Sequence, residues 1–131
     1  MSPQLHELRS RILILDDEPD VREALRIILE RETMQTEVAE TSDQALELAQ
    51  RHNFDVILSD IAHPGLDGLA LLPVLKHRHP TVPVIIISAG LDLNGNSAQA
   101  VALGAFACVH KPFKAEDVMT PVRAALEKRR Q

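Results

Sequence analysis

Five short apolar runs punctuate the chain: ILIL at 12–15, TEVA at 36–39, VILS at 56–59, VIIIS at 84–88 and FACV at 106–109. The strongest are apolar at every position instead of every second one, the pattern of strands covered by helices on both faces. The second run is mixed, as an edge strand is. Between the runs the period changes to three and four. Val21, Ala24, Leu25, Ile28 and Leu29 form one stripe, and Ala45, Leu46, Leu48 and Ala49 form another that opens after a Thr41 or Ser42 cap. Further helices are predicted at about 67–78, 97–103 and 115–130, the second of them ending at Gly104. Pro73 and Pro121 lie past the first turn of two of these. A missing N–H and a ring clash there cost about 3 kcal/mol, so a kink or late start is expected in each.

This alternation predicts an α/β fold, a doubly wound five-stranded parallel sheet with helices on both faces, joined by right-handed crossovers. The common flavodoxin-like strand order for that class is 2-1-3-4-5. A chain of 131 residues fits one domain, read as an N-terminal extension over 1–10 and a folded unit over 11–131.

Composition narrows the partners. A formal charge of −5, with three Phe and no Tyr or Trp, argues against direct nucleic-acid binding by backbone charge or base stacking. The single cysteine, Cys108, cannot form an internal disulfide. No apolar run reaches the ~20 residues of a membrane helix, and the N-terminus lacks a signal-peptide stretch. A soluble, cytoplasmic domain is the expectation.

In open parallel sheets, ligands bind beyond the carboxyl ends of the strands. Here those ends are polar. Asp16 and Asp17, with Glu18 next, follow the first run; Asp60 follows the third; Ser88 closes the fourth; His110 leads into Lys111 and Pro112 after the fifth. Each has an ordinary alternative, since Asp opens turns, acids favour a helix's first turn, and Lys is usually solvated. Together they place carboxylates, a hydroxyl and an ammonium in one crevice. Clustered carboxylates suit a hard cation such as Mg²⁺, and a carboxylate can accept a phosphoryl group as an aspartyl phosphate. The chemistry that fits is phosphoryl transfer, with metal, lysine and hydroxyl neutralising the transferred charge.

From RILILDDEPDVREAL through FDVILSDIAHPGLDG and VIIISAG to GAFACVHKPF, the chain closely resembles the receiver domain of two-component response regulators. The resemblance implies Asp60 as phosphoacceptor and Asp16 and Asp17 as Mg²⁺ ligands, with Asp60 itself and the backbone carbonyl of Ala62. It implies Ser88 as a switch hydroxyl, Lys111 as the phosphoryl-binding cation, and a cis peptide at Lys111–Pro112. The expected function is a phosphoacceptor signalling switch that takes its phosphoryl group from a histidine kinase or histidine phosphotransfer protein. It would then change its protein-binding surface, as a monomer or weak dimer. No enzymatic turnover is expected beyond support of its own phosphorylation and slow dephosphorylation.

Three positions depart from the family pattern. His63 stands where Met is usual, and is read as a solvent-exposed loop histidine, with pH-sensitive phosphorylation or partner docking as the sharper alternative. Cys108 stands where many receivers carry Tyr or Phe, so the inward swing of an aromatic ring is not open to this chain. Ser88 and Lys111 are 23 residues apart, one more than the family usually has, predicting a longer loop around GLDLNGNSAQ and a short fourth helix. Small residues at Ala62 and Gly90 flank the acceptor. These departures support an alternative, a receiver-fold binding module that works without phosphorylation. A haloacid-dehalogenase-type phosphatase is disfavoured because LDDEPD lacks the Asp-x-Asp spacing, and a flavodoxin-like flavin protein because an acidic loop repels phosphate.

Overall fold

A computed structural model describes residues 9–61, 68–89 and 96–129. Strands β1 (Arg11–Leu15), β2 (Gln35–Ala39), β3 (Val56–Asp60), β4 (Val84–Ala89) and β5 (Ala107–Lys111) alternate with helices α1 (Pro19–Arg31), α2 (Ser42–Arg51), α3 (Gly68–Arg78), α4 (Asn96–Ala102) and α5 (Ala115–Arg129). The strands form one sheet in the order β2-β1-β3-β4-β5, every pairing parallel. The mixed run is therefore the edge strand its pattern predicts.

Alternation along each strand sends side chains to two separate cores. Leu13, Leu15, Ile57, Val84 and Ile86 pack with Ala45 and Ala49 of α2, Leu71, Leu72 and Leu75 of α3, and Ala100 of α4. Ile12, Ile14, Val56, Leu58, Ile85, Ile87 and Val109 pack on the other face with Leu25 and Leu29 of α1 and with Val118, Met119, Val122, Ala125 and Leu126 of α5. Burial on both faces explains the continuous apolar runs.

Local signals set the helix ends. Pro19 opens α1, where its missing N–H costs nothing. Thr41, not Ser42, caps α2, its hydroxyl accepting from the Gln44 N–H at 3.2 Å, while Gln44 Oε1 accepts from the Glu40 N–H at 2.7 Å. Of the two outcomes expected at Pro73 and Pro121, a kink or a late start, the late start is corrected: both prolines lie inside helices that begin near the predicted residues and continue past them. Fully buried Leu71, Leu72 and Leu75 flank Pro73, and Val118, Met119 and Val122 surround Pro121. Burial worth about 1.5–3 kcal/mol for each large apolar side chain outweighs one proline penalty.

The fourth helix is short, seven residues, as the altered spacing predicts. The expectations placed on Ala62, His63, Gly90 and the loop before α4 lie outside the described residues.

Candidate functional site

The carboxyl edge of the sheet is built by the last residues of β1, β3 and β5. Asp60 ends β3 as a strand residue, paired in register with Ile87 of β4, and is 3% exposed. Lys111 ends β5 and is joined to Pro112 by a cis peptide bond. Asp16 follows β1 and is fully buried. Strand alternation explains their meeting: Asp60 continues the side of Val56 and Leu58, Lys111 that of Val109, and Asp16 that of Ile12 and Ile14.

The β1–α1 loop is held by its own polar groups. The Asp16 N–H donates to the Ala39 carbonyl at 3.1 Å, and the Glu18 N–H donates to Asp16 Oδ1 at 2.9 Å. Arg22 reaches back from α1 to donate to the Asp16 carbonyl at 2.9 Å and pairs with Glu40 at 3.3 Å. Glu18 precedes α1 without capping it by its side chain; its carboxylate goes to Lys111 instead.

Lys111 Nζ lies 3.1 Å from Glu18 Oε1, 3.2 Å from Asp16 Oδ2 and 3.3 Å from Asp60 Oδ2. Partial burial on its own would lower the lysine's pKa. The Glu18 hydrogen bond and the charges of Asp60 and Asp16 outweigh it and hold the pKa above the usual 10.5.

Asp16, Asp17, Glu18 and Asp60 each bring a carboxylate oxygen within 4.8 Å of the others. One ammonium does not balance four carboxylates. Asp16 Oδ2 is buried, and among the described residues its cationic neighbour is the Lys111 ammonium at 3.2 Å, which Glu18 and Asp60 share. A buried oxygen whose ammonium neighbour is shared among three carboxylates, inside an all-oxygen acidic cluster, belongs to the kind of donor set a hard divalent cation takes, so the residues present fit Mg²⁺.

Of the residues named from sequence, Asp16, Asp17, Asp60 and Lys111 come together, and Ala62 lies outside the described residues. Glu18 joins the cluster, although sequence reasoning gave it no role; its position directly after Asp16 and Asp17 was the available signal. Arg22 was also missed, because nothing in the periodicity of α1 marks a side chain that turns back to a strand end. Ser88 has a different neighbour. It is paired in register with His110, and its Oγ lies 3.1 Å from His110 Nδ1. Both continue the opposite side of the sheet, that of Val84, Ile86 and Cys108.

Comparison with known proteins bears on the family and the fold. A family model described as the response regulator receiver domain matches residues 12–123. The response regulator protein PilR of Pseudomonas aeruginosa is 39% identical over 121 residues, covering 92% of this chain and 27% of that protein. The DNA-binding transcriptional regulator NtrC of Escherichia coli is 36% identical over 118 residues, covering 90% and 25%. This chain thus spans about a quarter of the length of these curated relatives. Among solved structures, the receiver domain of NtrX from Brucella abortus superposes with a TM-score of 0.84 at 36% identity, covering 88% of this chain and 98% of that one. The beryllofluoride-activated NtrC4 receiver domain dimer gives 0.84 at 29% identity, covering 91% and 98%.

Proposed function

Because the chain belongs to the receiver-domain family of response regulators, we propose that it is a phosphoacceptor switch in which Asp60 receives a phosphoryl group. The observation that carries this reading is the convergence of buried Asp60 with Lys111 and the acidic cluster of Asp16, Asp17 and Glu18 at one sheet edge.

The donor is a phosphohistidine on a histidine kinase or histidine phosphotransfer protein. A carboxylate oxygen of Asp60 forms the new P–O bond while the P–N bond breaks and its electron pair leaves with the imidazole. β3 holds Asp60 at a fixed angle, so little ordering remains to be done in the transition state. Lys111 supplies a cation within reach of the oxygens that gain charge. Asp16, Asp17, Asp60 and the carbonyl of Ala62 would hold Mg²⁺, which when bound neutralises phosphoryl charge. Glu18 draws Lys111 toward the rim, and Arg22 keeps the Asp16 loop in place. Ser88 is the hydroxyl that turns to the phosphoryl group, so that phosphorylation biases two conformations of the surface around it.

The chain supports its own phosphorylation and slow hydrolysis without turning over a separate substrate. Its partners are proteins, it works in the cytoplasm as a monomer or weak dimer, and any nucleic-acid contact is made outside this acidic stretch.

Incubation with Mg²⁺ and acetyl phosphate, followed by intact-mass measurement, tests the reading. One added phosphoryl group is expected on the native chain and none on Asp60→Asn. Absence of an Asp60-dependent gain with small-molecule and phosphohistidine donors alike overturns it and leaves the phosphorylation-independent binding module.

A further inference from the structure

Ser88 is 7% exposed, so its hydroxyl cannot rely on bulk water. Buried hydroxyls are as a rule hydrogen-bonded, and this one has the imidazole of His110, directly across the β4–β5 ladder at 3.1 Å. Either tautomer allows the bond, because the hydroxyl both donates and accepts. The contact sits on the α2–α4 side of the sheet, whereas Asp60 and Lys111 continue the α1–α5 side. A serine hydroxyl that serves Asp60 must therefore change rotamer and give up His110. The imidazole is itself exposed, on the strand at the sheet's edge.

We propose that His110 is a positioning residue of the switch: it retains the Ser88 hydroxyl in the unphosphorylated state and releases it when the acceptor is modified. Resting on the phosphoacceptor reading, this adds a cost to activation that is specific to the residue preceding Lys111. It also supplies a surface signal. Release of Ser88 frees an exposed ring on β5, two residues beyond Cys108 on the same side of the strand. The position that lacks an aromatic ring thus has a neighbour that reports the hydroxyl's state.

The test is a double-mutant cycle read by beryllofluoride binding in the presence of Mg²⁺, with ¹⁹F NMR for affinity and the His110 ring resonances for the contact. The net worth of one hydrogen bond predicts that His110→Val tightens beryllofluoride binding about 3- to 10-fold. His110→Asn, which keeps a short polar group, returns affinity toward the native value. In a Ser88→Ala background, His110→Val should have no effect, since the bond is already gone. Native His110 ring resonances should shift on beryllofluoride addition, and Ser88→Ala should shift them without it. Unchanged affinity in His110→Val, or an equal gain with Ser88 absent, overturns the proposal. Failure of the native chain to bind beryllofluoride in an Asp60-dependent way overturns the phosphoacceptor reading and this inference with it.

Discussion

Lys111 Nζ stands 3.3 Å from Asp60 Oδ2, although 51 residues separate the two in the chain. The same ammonium contacts Glu18 and Asp16, so a single side chain from β5 ties the ends of β1 and β3 together. On the proposed reading, that ammonium serves the transferred phosphoryl group, and its removal should slow transfer. Lys111→Met is expected to lower the rate of Asp60 phosphorylation by acetyl phosphate about 10²- to 10³-fold, the usual effect of deleting one charge-stabilising group. Lys111→Arg should recover only part of that rate, because a planar fork does not occupy the place of a compact ammonium. A native rate in Lys111→Met excludes the role.

The raised pKa of Lys111 has a defined consequence for alkaline stability. A cation whose pKa is higher folded than unfolded stabilises the fold fully below the unfolded value, here the usual 10.5, and loses that contribution as pH rises through the folded value. Denaturant unfolding of native protein and Lys111→Met should show a constant difference through neutral pH that shrinks only in strongly alkaline solution. A difference that shrinks between about pH 6 and pH 8, far below any lysine range, contradicts the assignment.

Magnesium should stabilise the fold through the acidic cluster. A cation that binds only the folded state adds RT ln(1 + [L]/Kd), about 1.4 kcal/mol at a tenfold excess over Kd. The melting temperature is expected to rise with MgCl₂ at constant ionic strength and to lose that rise in Asp16→Ala, which deletes the fully buried carboxylate of the cluster. An equal rise in Asp16→Ala would assign the effect to Mg²⁺ binding elsewhere on the chain.

Thr33, just beyond α1, has φ of 63°, a left-handed conformation that a β-branched residue resists. Thr33→Gly should raise stability by about 0.5–1 kcal/mol, the relief of strain exceeding glycine's added unfolded-state entropy. Urea unfolding checks this, and a destabilised variant would show that the Thr33 hydroxyl bond to the Glu32 carbonyl outweighs the strain.

Much of the architecture was legible in the runs themselves. ILIL, and VILS and VIIIS up to their closing serines, are continuously apolar because helices cover both faces of β1, β3 and β4, and the mixed TEVA marks the edge. The start of α3 ahead of Pro73 was not legible, because a local rule about a lost N–H carries no information on the leucines that flank it. Asp60 and Lys111 were legible as candidate site residues because each ends its own strand. Glu18 was not, since one acid in an acidic loop looks like its neighbours until a cation reaches across to it.

The amino-acid pattern by itself determined which segments become strands, that the sheet is parallel and covered on both faces, and that carboxylates and a lysine end its strands. Those properties follow from local periodicity and from the chain order of elements. Only the tertiary structure decided which polar ends face one another. Asp60 meets Lys111, whereas Ser88 meets His110, and that division depends on the register of β3, β4 and β5. A one-residue slip would send every side chain of a strand to the opposite face, and register is fixed by packing across strands that no single run records.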